Sequence, residues 1–384
     1  MEKKMVIKNG TLLNENFEFI KADISFGVKI DKIGSDLNGE MTYDASDCYI
    51  VPGLVDTHMH GAVGENFLEF TESTISQICE FEAKNGTTSL VPALAAATEE
   101  KMKQAERNIV LAVKHRASKV SEDAVAKIMG IHLEGPFFSL QYKGAHLPEN
   151  IRIPSIEELD RLVDAGEGLV KIITMAPELE NGYEVIRHAV ERDITVSVGH
   201  TQASYEEALE AFAAGATQTT HTFNAMSPLN HRNPGVVGSA MMNEAARCEL
   251  ICDFFHVHKD VVKLLYTIKG SERIIMVSDS ERGAGMPDGE FIVSGRKIIV
   301  KDRKTYAEDG VIAGGSTVLL DGVRNLVSIG IPLAQAVKMA SKNGAVSAGI
   351  YDRVGSLAVG KNADILILDK NLNVKNVFVN GSII

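Results

Sequence analysis

Eight short apolar runs rich in β-formers recur along the middle of this chain, at residues 50–51, 88–93, 128–134, 170–176, 195–200, 217–222, 248–253 and 273–279. Segments with helical spacing, such as 204–214 and 259–268, separate them. Strands alternating with helices pair in parallel and bury both faces. Eight such units over ~230 residues match the size of a (β/α)₈ barrel. The expected fold class is therefore α/β, built on a TIM-like barrel.

The two ends of the chain read differently. Met5-Val-Ile, Ala22-Asp-Ile-Ser-Phe and Val28-Lys-Ile alternate like strands, and Asn9-Gly10 and Asn38-Gly39 are hairpin signals. Strand-like runs return at 363–369 and 374–379. The expectation is a small β-sandwich made of residues 1–50 and 354–384. The barrel would occupy 51–353, with a β-hairpin inserted near 289–301 and further helices at 316–329 and 333–342.

Composition narrows the partners. Net charge is −12, and Lys and Arg are scattered. A nucleic-acid footprint needs clustered cations, so no nucleic-acid partner is expected. An anionic substrate would need local cations. Cys48, Cys79, Cys248 and Cys252 sit in apolar runs without paired spacing and read as buried thiols, which suits a reducing cytoplasm. No apolar run approaches the ~20 residues that span a bilayer, and the N-terminus lacks the apolar core of a signal peptide.

The runs end on residues that bind metals. His58 and His60, in Pro52-Gly-Leu-Val-Asp-Thr-His-Met-His-Gly61, are two apart. On extended backbone, i and i+2 share a side, so both rings can face one ion. A plain strand end with two polar residues gives the same local pattern. Glu134 ends the third run, His200 the fifth and His221 the sixth. His256 follows the seventh, and Asp279 ends the eighth. In barrel enzymes the site lies at the C-terminal strand ends. Imidazoles and carboxylates gathered there form a set of N and O ligands for a divalent metal.

These motifs resemble the N-acetylglucosamine-6-phosphate deacetylases, a family within the amidohydrolase superfamily. The pieces are 52–61, His132-Leu-Glu-Gly-Pro-Phe, Lys143-Gly-Ala-His-Leu-Pro, Val198-Gly-His-Thr, Thr220-His-Thr-Phe-Asn-Ala-Met-Ser-Pro, Arg232-Asn-Pro-Gly and 355–364. The resemblance implies that Glu134, His200 and His221 bind one metal. Some members lack the early His-x-His; this chain keeps it, so His58, His60 and Asp279 would hold a second. Zinc or iron(II) suits the set, as one or two ions per subunit. Asp279 would be general base and then acid in amide hydrolysis, with ligation as its alternative or additional role.

Substrate contacts implied by the resemblance are Ala145, His146, Asn224, Ala225, Arg232 and His256, with Ile312, Ala313 and Gly314. Arg232 and His256 would clamp a phosphate. In the family this arginine reaches the neighbouring subunit's site, so a homodimer is implied; a partnerless loop arginine is the alternative. His231, His258, His115 and His188 read as surface residues.

One departure stands out. The family usually runs Asp-Ala-Met after the catalytic aspartate, and this chain has Asp279-Ser-Glu-Arg. Glu281 and Arg282 would either reshape the sugar pocket or face solvent, which leaves the glucosamine or galactosamine epimer open. A cyclic-amide hydrolase is a further alternative. Those commonly carry a carboxylated lysine at the end of the fourth strand; here Lys171 falls at its start. A non-catalytic sugar-phosphate binder would not need the full ligand set with Asp279.

Overall fold

A computed structural model describes residues 4–118, 124–293, 296–307 and 314–384. Its centre is a ring of parallel strands: β1 (Leu54–Asp56), β2 (Thr87–Leu90), β3 (Ile131–Glu134), β4 (Val170–Met175), β5 (Thr195–Val198), β6 (Gln218–Thr219), β7 (Arg247–Ile251) and β8 (Ile274–Val277). Pairing runs from β3 through β8 in chain order. The ladder steps at Pro92, which has no N–H to offer: Thr87–Leu90 pairs with β1, and Ala93–Ala95 pairs with β3. β8 closes on β1, since the Asp279 N–H donates to the His58 carbonyl at 2.9 Å and the His60 N–H to the Ser280 carbonyl at 2.7 Å. β1, β3 and β8 are buried at every position, as a sheet covered on both faces requires.

One helix follows each strand: α1 (Glu72–Lys84), α2 (Glu99–Ser118), α3 (Ile156–Ala165), α4 (Gly182–Glu191), α5 (Tyr205–Ala214), α6 (Gly235–Met242), α7 (Lys259–Lys269) and α8 (Leu319–Ser328). Their starts are written locally. Ser204 accepts the Glu207 N–H while the Glu207 side chain accepts the Ser204 N–H. Such a cap contributes about 1 kcal/mol.

The chain ends form two further sheets, one of Met5–Lys8, Asp23–Phe26, Ile30–Gly34 and Met41–Asp44, the other joining Thr11–Leu13, Phe19–Ile20 and Tyr49–Pro52 to Ile365–Leu368, Val374–Val379 and Ser382–Ile383. Phe26, Ile50, Leu357 and Phe378 are buried between them.

Several expectations need correction. Residues 50–51 do not open the barrel: Tyr49–Pro52 pairs with Ile365–Leu368, and the chain changes sheet at Gly53. A Cβ at Gly53 would lie 2.1 Å from Thr88 Oγ1, so no side chain fits the crossing. Asn9-Gly10 and Asn38-Gly39 are not hairpins; the strands flanking each turn do not pair with one another, because each turn serves a crossover. The expected 316–329 helix begins only at Leu319. The expected 333–342 helix breaks at Ser341, at φ −138° and ψ −77°, into Leu333–Met339 and Lys342–Ser347. The inserted hairpin carries a third antiparallel strand, Lys304–Ala307, after Gly289–Val293 and Arg296–Lys301. Asn380-Gly381 turns a hairpin, with both residues at positive φ. All four cysteines are buried free thiols. No helix among the described residues is long and apolar enough to cross a membrane.

Two core carboxyl groups are costly, Glu82 on α1 and Glu106 on α2: both are fully buried, and among the described residues none of their carboxylate oxygens has a hydrogen-bond partner. Burial pushes the Glu106 pKa up to about 9. The folded chain thus keeps a proton that the unfolded chain loses near pH 4.5, so stability declines as pH rises from there to about 9. Glu106→Gln is expected to raise the melting temperature at pH 8 by at least about 2 °C and to leave it nearly unchanged at pH 4. Thermal melts at the two pH values check this.

Candidate metal centre

Four of the expected ligands sit two residues beyond a strand: His58 after β1, His200 after β5, His221 after β6 and Asp279 after β8. Three of them adopt positive φ, at 50° for His200, 28° for His221 and 48° for Asp279. Left-handed backbone is unfavourable for residues with a Cβ. Here it turns each side chain over the barrel mouth. Glu134 is the last residue of β3 and meets them there.

Glu134 is the hub. Its Oε1 lies 3.2 Å from His58 Nε2, 3.2 Å from His200 Nε2 and 3.3 Å from His221 Nε2. Its Oε2 lies 3.3 Å from His60 Nε2 and 3.2 Å from His146 Nε2. Asp279 Oδ1 lies 3.3 Å from His60 Nε2 and 3.5 Å from His58 Nε2. Two ligand-sized groups result around Glu134 and Asp279, His58–His60–Asp279 and Glu134–His200–His221, each with its donor atoms within 4.8 Å of one another; a third among the described residues, His58–His132–Glu249, shares His58.

The donor set fits divalent cations. His200 Nδ1 faces the Tyr142 carbonyl at 2.9 Å, so it carries the proton and leaves Nε2 as a lone pair. That lone pair points at His221 Nε2, 3.0 Å away. His60 Nδ1 likewise donates to the Ala93 carbonyl at 3.1 Å, which aims Nε2 at two carboxylates. His58 Nε2 is buried without a hydrogen-bond partner. Acceptors facing acceptors in a buried space call for positive charge between them.

The electrostatics agree. Burial resists charge on His60, but Glu134 and Asp279 outweigh it and lift its pKa to about 10. Burial likewise opposes charge on His58, and Asp279 and Glu134 again win and raise it. Burial lowers His200 to about 4, which keeps it a neutral ligand. Burial works against the carboxylates of Glu134 and Asp279 too, yet the imidazoles around them hold both below the usual range.

A buried polar layer supports this ring. His132 Nε2 meets Thr174 Oγ1 at 2.7 Å, and Thr220 Oγ1 meets Thr174 at 2.7 Å and Ser197 at 2.6 Å. Glu249, fully buried in β7, accepts from His58 Nδ1 at 3.0 Å, from the His221 N–H at 3.3 Å and from Gln218 Nε2 at 2.9 Å. Sequence reasoning missed Glu249 and His132; the signal for Glu249 was a lone carboxylate inside the apolar run 248–252. Removing such a partner typically costs 10–100-fold in metal affinity. Glu249→Gln is expected to weaken metal binding by about that factor; chelator competition measures it.

The other expected residues are spread around the mouth. His146 joins Glu134, while Ala145 beside it is exposed. Asn224 donates to the His221 carbonyl at 3.1 Å, and Ala225 is at φ 47° in the same turn. Arg232 is exposed and does not enter the cluster. His256 is held by Asp253 at 2.6 Å. Gly314 is at φ 90° beside Glu281, whereas Ile312 and Ala313 lie outside the described residues. Arg282 is tied to Glu69 at 2.8 Å, and Glu281 lies within charge reach of His60. His258 caps α7 by accepting the Asp260 N–H, and His188 pairs with Asp160.

A barrel with imidazoles and carboxylates converging on its C-terminal mouth defines a metal-dependent hydrolase class, and the comparisons place the chain within it. The profile of the amidohydrolase family matches residues 49–384, and the chain belongs to that family. It is 34% identical to the N-acetylglucosamine-6-phosphate deacetylase of Bacillus subtilis (strain 168), over 88% of this chain and 85% of that one. It is 32% identical to the N-acetylgalactosamine-6-phosphate deacetylase of Escherichia coli O157:H7, over 87% of each. Its fold matches the N-acetylglucosamine-6-phosphate deacetylase of Pasteurella multocida with a TM-score of 0.90, at 28% identity over 99% of each chain. A mutant of the Mycobacterium smegmatis enzyme, solved in complex with N-acetyl-D-glucosamine-6-phosphate, matches with a TM-score of 0.90 at 29% identity over 99% of each chain.

Proposed function

We propose that this protein hydrolyses the acetamide of N-acetylglucosamine 6-phosphate, giving glucosamine 6-phosphate and acetate. The observation that carries the reading is Glu134 standing between the two ligand groups, with Asp279 at the open edge of one of them. Zinc or iron(II) suits the N and O donors, as one or two ions. A divalent cation held by Glu134, His200 and His221, with a second at His58, His60 and Asp279, would supply Lewis acidity and lower the pKa of water. Asp279 stays ionised and is the side chain that takes the proton of the attacking water, then returns it to the departing amine nitrogen. His146 faces the same space and orients the acetyl group. Asn224, Ala225 and Gly314 line the sugar end.

Arg232 and His256 form the phosphate clamp in this reading. Exposure of Arg232 on its loop fits an arginine that completes the site of a second copy, hence a homodimer. Buried free thiols fit a cytoplasmic enzyme.

The galactosamine epimer is the second reading, favoured by the similarity to the Escherichia coli O157:H7 deacetylase and by Glu281 within charge reach of His60. A cyclic-amide hydrolase with a carboxylated lysine fits less well, because Lys171 is the second residue of β4, far from its C-terminal end. Acetate release from paired N-acetylglucosamine 6-phosphate and N-acetylgalactosamine 6-phosphate tests the assignment. Preference for the first is expected. Preference for the second keeps the chemistry and changes the epimer, and cleavage of neither by fully metal-loaded protein overturns the substrate class.

A further inference from the structure

The loop after β7 carries a buried acid–base pair that the hydrolytic chemistry does not use. Asp253 Oδ2 lies 2.6 Å from His256 Nδ1. Asp253 Oδ1 accepts the main-chain N–H of Phe255 at 2.8 Å and of His256 at 2.9 Å. The carboxylate is thus fixed from both sides, and its side chain and that of His256 are 5% and 9% exposed. Nδ1 must carry a proton to face a carboxylate. His256 Nε2 makes no hydrogen bond among the described residues and is left at the mouth of the barrel. A neutral ring in this orientation would present Nε2 as a lone pair, which repels an anion. A cationic ring presents a charge-assisted N–H instead.

We infer that Asp253 is a positioning residue for a phosphoryl group: it holds His256 as a cation whose Nε2–H receives the substrate's phosphate oxygens. This rests on the reading of His256 as part of a phosphate clamp and adds the group that gives it charge. Burial opposes charge on His256, but the bond to Asp253 outweighs it and raises the pKa above the ordinary value, with Asp279 acting in the same direction. Burial likewise opposes charge on Asp253, and His256 holds it low. On the packing strand Lys304–Ala307, Lys304 sits 4.4 Å from the Phe255 ring centroid and Tyr306 meets Phe255 edge-on at 6.0 Å.

The sign of the pH dependence follows. A phosphate monoester gains its second charge near pH 6, while an ordinary imidazole loses its own near 6.5. Only a histidine with a raised pKa is still charged when the substrate is a dianion. Asp253→Asn keeps an oxygen for the two main-chain amides and removes the charge. The Asn amide would face Nδ1, leaving Nε2–H as a neutral donor of the same shape.

Two measurements on the metal-loaded protein test this. In the wild type, NMR titration of the His256 ring is expected to place its pKa above the ordinary value, and in Asp253→Asn at or below it. In the variant, KM for the sugar 6-phosphate is expected to rise about tenfold at pH 8 with kcat within about twofold, and to rise little at pH 6. Activity on the unphosphorylated N-acetyl sugar should be unchanged. Competition by inorganic phosphate should weaken in parallel, and this can be read by ring shifts even if no sugar phosphate is cleaved. An ordinary His256 pKa in the wild type, or equal phosphate affinity of both proteins at pH 8, overturns the inference. Loss of kcat on both the phosphorylated and unphosphorylated sugars would assign Asp253 a general structural role and overturn it too.

Discussion

Replacing Asp279 with Asn is expected to lower kcat by about 10²–10⁴-fold, the usual weight of a positioned acid–base group, with little change in KM. The side chain keeps its shape, and its Oδ1 can still lie near His58 and His60, from which it stands 3.5 and 3.3 Å in the wild type. What the amide cannot do is accept a proton. The neighbouring imidazoles hold the Asp279 carboxyl well below the ordinary range, so it is an unprotonated base at every physiological pH. The variant should therefore bind substrate and keep the metal held by Glu134, His200 and His221, while losing the chemical step. Steady-state kinetics with metal analysis on the same sample checks this. A loss smaller than about tenfold would remove Asp279 from proton transfer and leave it a ligand only.

Glu134→Gln should have the second large effect, and a different signature. Five imidazoles approach its two oxygens within 3.3 Å. Without that charge His200 and His221 lose the third member of their group, and the other group loses the carboxylate that bridges toward it. Both metal content and activity should fall by at least about tenfold to a hundredfold, since a direct carboxylate ligand matters no less than an outer-shell partner. Elemental analysis after dialysis reads the first and acetate release the second. Full metal content in this variant would contradict the two-group reading.

Much of this was legible in the sequence because the barrel repeats one unit. Buried parallel strands read as continuous apolar runs, and a polar residue just past such a run stands out: His200, His221 and Asp279 were visible for that reason. What stayed hidden depends on contacts across the fold. Tyr49–Pro52 has the apolar character of a barrel strand, and only its pairing with Ile365–Leu368 assigns it to the terminal sheet. Asn9-Gly10 has the chemistry of a hairpin turn, but parallel pairing of its flanks with residues more than thirty positions away overrides it. Glu249 looks like a polar intrusion until the His58 ring is seen 3.0 Å away. The left-handed backbone at the three ligands was equally out of reach, since neither histidine nor aspartate announces positive φ on its own.

The central claim is that a metal held at Glu134 and its imidazoles drives deacetylation of an amino-sugar 6-phosphate. The most direct test strips the protein with chelator, restores zinc or iron(II) in steps, and follows acetate release against metal bound per chain. The account predicts no acetate from the stripped protein and a rate that climbs with each increment of bound metal until the ligand groups are filled. Undiminished acetate release from metal-free protein, or none from a fully loaded one offered both sugar phosphates, would contradict it.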